Sequence, residues 1–204
     1  MRTNAKAPRS LSYPETVALL EGFQTQACTA LWSLMQLRNR CMVMLMLDTG
    51  IRVGELVQLK WASLYSFGKP VENLLIHEDI AKGRRSRTIP MSDRLKKIVD
   101  EMHTKIWIND ILANRGYAFS AIYSYEPLTT RQVQRIVFTY GMLAFGRRCT
   151  PHMLRHTFAT RLMKVTNIRV VQRLLGHQNL SSTEIYTHPD MDDLQQAIAG
   201  IGEK

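Results

Sequence analysis

Apolar residues recur near one-turn spacing over most of this chain, and a shorter middle section instead sets apolar runs between turn residues. Order is predicted to begin at Ser12-Tyr13-Pro14-Glu15, where Ser12 caps a helix, Pro14 suits its first turn and Glu15 completes a capping box. Two helical stretches follow, at about 12–23 and 25–47, the second closing in the apolar run from Cys41 to Leu47. That end is expected to be core, with Met42, Met44 and Met46 as packing residues. The run is far shorter than the ~20 residues that cross a bilayer. Asp48-Thr49-Gly50 is expected to break the helix, and Arg52 to Trp61 then sets Val53, Leu56, Val57 and Leu59 near helical spacing. From Val71 to Pro90, Leu74-Leu75-Ile76 and Thr88-Ile89 flank turn residues, which predicts a small antiparallel sheet. Helices return at about 92–113, 130–144, 151–164, 168–175 and 181–186, with a short last one near 191–200.

No internal repeat, low-complexity tract or Pro/Gly linker divides the chain. The expectation is one domain over residues 12–204, behind a flexible basic arm at 1–11 that carries Arg2, Lys6 and Arg9 without an acid. The length, 45% hydrophobic and 22% charged residues suit an ordinary soluble domain. Charge changes the picture more. The 27 Lys and Arg against 17 Asp and Glu leave a net +10, which favours a polyanionic partner, nucleic acid first. Between Lys82 and Lys97 seven basic residues face one acid, Asp93. With Gly83 and the Thr88-Ile89 pair before Pro90, this reads either as a hairpin projecting Arg84, Arg85 and Arg87 onto DNA or as a solvated edge. The three cysteines, Cys28, Cys41 and Cys149, are widely spaced and form no CxxC pair. Their odd number and the lack of an apolar signal core at the N-terminus predict a reduced, cytoplasmic protein.

The candidate chemistry sits late in the chain. Thr150 and Pro151 form a helix start, so His152, Arg155 and His156 fall in first turns whose free N–H groups and positive dipole attract an anion. His152 and His156 have the i,i+4 spacing of metal ligands. No Glu follows the first His, however, and no Cys or carboxylate cluster supplies further ligands, so no metal is expected. For His156 a hydrogen-bonding role in the core competes with any part in catalysis. Tyr186 lies nine residues after His177, on the polar segment Ser181-Ser182-Thr183-Glu184, which suits a surface helix. Phosphoryl transfer needs an in-line nucleophile, positive groups on the non-bridging oxygens and an acid for the leaving oxygen. Tyr, Arg, His and Lys supply all three without a metal or other cofactor.

Five separated motifs stand in one order: Thr49-Gly50-Ile51-Arg52-Val53-Gly54-Glu55-Leu56, Lys82-Gly83 through Arg87-Thr88-Ile89-Pro90, His152-Met153-Leu154-Arg155-His156, Leu175-Gly176-His177 and Tyr186-Thr187-His188. In these the chain closely resembles the catalytic domain of the tyrosine recombinases, the phage integrase family, which includes the Xer recombinases and the fimbrial switch invertases. The resemblance covers about residues 10–200 and implies a mainly helical α+β fold with a small antiparallel sheet. It also implies that Arg52 and Arg155 clamp the scissile phosphate. By the same resemblance Lys82 protonates the leaving 5′ oxygen, His152 assists as base or hydrogen-bond partner, and His177 holds the phosphate from the other side. Tyr186 would form a 3′-phosphotyrosyl link, and Glu55 would support the site by orienting Arg52 or its helix.

The implied partner is double-stranded DNA, bound by a homotetramer on two synapsed duplexes and by a monomer in solution, in the nucleoid of a bacterium or within a phage system. Strand exchange would need no ATP, because the covalent link conserves the phosphodiester energy. Most family members carry an N-terminal helical domain of roughly 100 residues that closes a clamp around DNA. The sequence reading expects that domain to be absent here. Three competing functions remain at this stage: a type IB topoisomerase using the same tyrosine step, a non-catalytic DNA-binding relative, and a metal-dependent nuclease.

Overall fold

The structure is a computed structural model, and it describes residues 10–24, 29–108, 116–121 and 126–176. The opening helix, α1 (Tyr13–Glu21), carries the expected capping box: the Glu15 amide donates to the Ser12 hydroxyl and the Ser12 amide to the Glu15 carboxylate at 2.8 Å. A single 3₁₀ turn at Gly22–Gln24 follows.

Helix α2 (Ala30–Thr49) starts later than expected, on the side chain of Thr29, and ends later too. It runs through Asp48 and Thr49, because the Thr49 hydroxyl bonds back to the Leu45 carbonyl at 2.6 Å, and it stops at Gly50 in the left-handed conformation (φ 61°). Two full turns near its end, from Cys41 through Leu47, are buried on all sides. Packed against α4, α6 and the first turn of α3, it is the centre of the core.

The helix expected over 52–61 contracts to one turn, α3 (Val53–Leu56). The chain after it is drawn into backbone bonds with a distant segment. The Ala118 amide donates to the Leu59 carbonyl at 2.8 Å, and the Trp61 amide to the Gly116 carbonyl at 2.9 Å. Tertiary pairing thus overrides local helical spacing.

Two antiparallel pairs follow. The first, β1 (Tyr65–Ser66) with β2 (Lys69–Pro70), was not visible in the sequence, because Phe67 at its tip (φ 51°) is an unusual residue for a left-handed turn position. The second, β3 (Asn73–Ile76) with β4 (Arg87–Pro90), is the predicted sheet. Leu74 faces Ile89 and Ile76 faces Arg87, all four buried. The loop from His77 to Ser86 joins them.

Helix α4 (Asp93–Met102), capped by Ser92, runs into a turn of π-helix at His103–Trp107. Beyond lie α5 (Thr130–Phe145), α6 (Pro151–Met163) and α7 (Ile168–Leu175), at the predicted positions within a residue. Val171 and Leu175 of α7 form a small second core with Ala159 of α6, bordered by Phe158, Leu162 and Met163. The helices expected at 181–186 and 191–200 lie outside the described residues. Among the described residues no helix is long and apolar enough to cross a membrane.

Candidate functional site

The site is organised around one buried carboxylate. Glu55, in the single turn of α3, is 2% exposed, and four groups from three parts of the chain converge on it. Its Oε2 accepts the Arg52 amide at 2.9 Å, while its Oε1 meets the Arg52 guanidinium at 3.3 Å. Arg87, on β4, donates through Nη1 to Oε1 at 3.0 Å and through Nη2 to Oε2 at 2.5 Å. The Lys82 amide completes the set at 3.4 Å from Oε1. Burial pushes the Glu55 carboxyl up. The hydrogen bonds and charge of Arg87, aided by Arg52, outweigh that and hold it below the ordinary glutamate value.

Arg52 is the N-cap residue of α3 and is a quarter exposed, so its anchored guanidinium still reaches the surface. Arg155 comes from the opposite side, in the second turn of α6. It is 5% exposed and donates to the carbonyl of Gly50 and, at 2.8 Å, to that of Leu175. One arginine therefore bridges the left-handed end of α2, two residues before Arg52, and the end of α7, two residues before His177. The structure thus gathers Arg52, Glu55, Arg155 and the Lys82 backbone into one locality.

Arg87 corrects the sequence reading. Expected to project onto DNA, it is 8% exposed, turned inward onto Glu55, and its Nε donates to the Leu174 carbonyl at 3.1 Å. The alternation along β4 places Arg87 on the same face as Ile89, which is the core face. Arg84 and Arg85 do lie exposed on the β3–β4 loop. Lys82 is exposed beside them, lining a cavity of about 470 Å³ with Arg85, Arg169, Arg173 and Gly176.

His152 is exposed in the first turn of α6, whose N-terminus is capped by the Thr150 side chain. It lines a second cavity of about 470 Å³ with Val53, Arg131, Arg135 and Arg148. Val53 adjoins Arg52, so the two basic cavities flank the Arg52–Glu55 centre. His156, one turn on, is buried. Burial first, and the neighbouring His152 second, lower its pKa below the ordinary histidine value, which keeps the ring neutral. Among the described residues no group of three or more His, Cys, Asp or Glu could hold a metal ion. His177 and Tyr186 lie outside the described residues; α7 ends at Gly176, immediately before His177.

Sequence reasoning missed Arg131, Arg135 and Arg148 near His152, and Arg169 and Arg173 near Lys82. For the last two a signal existed: Arg169 and Arg173 are one turn apart, off the stripe formed by Val171, Leu174 and Leu175.

The fold and this cluster of basic groups around a buried carboxylate define an α+β domain with an electropositive site, and the comparisons specify the family. The profile of the Phage integrase family matches residues 18–193, and the chain belongs to that family. It is 32% identical over 194 residues to tyrosine recombinase XerA of Pyrococcus furiosus, covering 94% of this chain and 61% of that protein. It is 30% identical over 190 residues to tyrosine recombinase XerC of Pseudomonas entomophila, covering 93% and 58%. The chain thus spans about three-fifths of the length of these relatives. Among solved structures, XerH site-specific recombinase bound to its difH substrate in a pre-cleavage complex superposes with a TM-score of 0.74 at 27% identity, covering 98% of this chain and 55% of that one. The XerA recombinase crystal structure superposes at 0.71 with 24% identity, covering 97% and 66%, a likeness of fold.

Proposed function

We propose that this chain catalyses site-specific DNA recombination by cleaving and rejoining strands through a 3′-phosphotyrosyl intermediate. The observation that carries this reading is the Glu55 hub, which supports Arg52 and the Lys82 loop on a fold where Arg155 is fixed beside them. Tyr186 Oη attacks the scissile phosphorus, and the bond from phosphorus to the 5′ oxygen breaks. Lys82 gives that oxygen its proton, while the tyrosine proton passes to His152 or to water. Arg52 and Arg155 neutralise the charge gathered on the non-bridging oxygens, with His177 on the other side. A 5′ hydroxyl from another strand then reverses the step, restoring a phosphodiester and releasing Tyr186. No metal, nucleotide or other cofactor takes part.

The net charge of +10 and the two basic cavities support double-stranded DNA as the partner. Four copies on two synapsed duplexes, with a monomer in solution, form the proposed assembly, inside a bacterial or phage-infected cell.

The test is a denaturing gel of wild type and Tyr186→Phe on duplexes nicked near candidate cut sites, in the presence of a chelator. A covalent adduct in wild type alone supports the reading. Cleavage that disappears with chelator, or that persists in Tyr186→Phe, contradicts it.

A further inference from the structure

Helix α7 carries two arginines one turn apart, the first of them where the helix itself is poorly served. Arg169 sits in the first turn, at the positive end of the helix dipole, and Arg173 lies one turn later on the same side. Both side chains are exposed, and neither makes an ion pair with any described residue. A solvated face would usually relieve such a pair with an acid at the next turn, and α7 contains none.

The two arginines do not stand on a convex surface. They form one wall of the 470 Å³ cavity whose other wall is the β3–β4 loop and strand, with Lys82, Arg85, Ser86 and Thr88, and whose lining includes Leu75. Among the described residues no acid lines it. The charge of Arg87 is already met by Glu55, so among the described residues Lys82, Arg85, Arg169 and Arg173 are four cations facing one concavity without an acid. The cavity is also held in shape. Val171 and Leu175 anchor the underside of α7 against α6, and Arg87 ties the Leu174 carbonyl to β4. At Gly176 an added Cβ would come within 3.0 Å of the Arg87 side chain, so the helix end closes tightly on the strand.

We propose that Arg169 and Arg173 of α7, with Arg85 of the β3–β4 loop, form a binding site for backbone phosphates of the DNA strand adjoining the cleavage centre. This rests on the DNA reading above and adds residues outside the constellation that breaks the strand. Guanidinium forks suit phosphate oxygens, and two of them one helical turn apart engage more than one phosphate of a strand. Such contacts fix the register of the duplex without reading its bases.

The experiment measures the affinity of the full chain for a random-sequence duplex between 50 and 200 mM salt, for wild type, Arg169→Gln, Arg173→Gln and Lys105→Gln. Lys105, on the π-helical turn and paired with Glu101, controls for the loss of one charge. Each α7 variant is expected to flatten the dependence of log affinity on log salt by about 0.9, the yield of one phosphate contact, while Lys105→Gln leaves it unchanged. The thermal stability of Arg169→Gln stays level or rises, because a cation at the positive end of the helix dipole is removed. Salt-dependent binding by wild type with equal slopes in both α7 variants overturns this site and leaves the DNA reading intact. Equal flattening in Lys105→Gln also overturns it, as a plain charge effect. Wild type without salt-dependent binding overturns both.

Discussion

Arg87 and Glu55, 32 positions apart, meet in a two-pronged contact that is almost wholly out of water, with Nη1–Oε1 at 3.0 Å and Nη2–Oε2 at 2.5 Å. The pair welds the sheet to the turn that carries Arg52, and through the Leu174 carbonyl it holds α7 as well. Breaking it from one side leaves a buried charge without its main partner, since Glu55 keeps only the longer Arg52 contact and its amide donors. Arg87→Met is expected to cost about 3–5 kcal/mol of unfolding free energy in urea titrations. The double variant with Glu55→Gln should recover a substantial part of that loss, because neither partner is then left alone. Equal losses in the single and double variants would contradict the pairing.

The same carboxylate predicts an acid limb of stability. Its folded pKa lies below the ordinary glutamate value near 4.5, so its stabilisation is fully present above that pH and is lost as pH falls through the folded value. In Glu55→Gln this part of the pH dependence between about 4.5 and the acid transition should disappear.

His156 acts at higher pH in the same direction. Its folded pKa is depressed below 6.5, so the unfolded chain takes up the proton first. Stability is level above that value and declines as pH drops below it. Unfolding titrations at pH 7.5 and 5.5 should show a smaller difference in His156→Gln than in wild type; an unchanged difference would assign the decline to other groups.

Gly50 joins backbone conformation to the site. At φ 61° an added Cβ would lie 2.5 Å from the Phe158 ring and 2.8 Å from Leu175, and the Gly50 carbonyl accepts Arg155. Gly50→Ala is expected to destabilise by at least ~2 kcal/mol, the left-handed strain and the overpacking acting together. It should also lower strand cleavage in whatever fraction remains folded. A loss below 1 kcal/mol in denaturant titrations would show that the α6–α7 contact yields freely.

Much of this was legible from residue patterns. The caps Ser12 and Thr150, the β3–β4 pair and α5 to α7 follow from local chemistry that the fold leaves undisturbed. The shortening of α3 was not legible, since its cause is backbone pairing of Leu59 and Trp61 with residues 116–118, far along the chain. For Arg87, a basic run invited an outward reading. Strand alternation with Ile89 carried the opposite information, and its buried partner Glu55 became visible only when β4 and α3 were brought together. The Arg52–Glu55 contact, by contrast, lies within one helical turn and needed no tertiary knowledge.

The role of Lys82 has a chemical test. A 5′-bridging sulfur in place of the scissile oxygen leaves as a thiolate, whose conjugate acid has a pKa near 8.5 and which needs no proton in the transition state. Lys82→Ala should cleave ordinary DNA at least ~100-fold more slowly than wild type and regain most of that rate on the sulfur-substituted strand. A defect of equal size on both substrates would assign Lys82 to phosphate binding alone.

The most direct measurement of the central claim is the identity of the covalently modified residue. After reaction with a nicked duplex in chelator, trypsin releases the stretch following Arg173, in which Tyr186 is the only tyrosine through Lys204. Mass spectrometry is predicted to find a nucleotide joined to that peptide through its 3′ phosphate at Tyr186. A 5′-linked nucleotide, or modification of any other residue, would contradict the account.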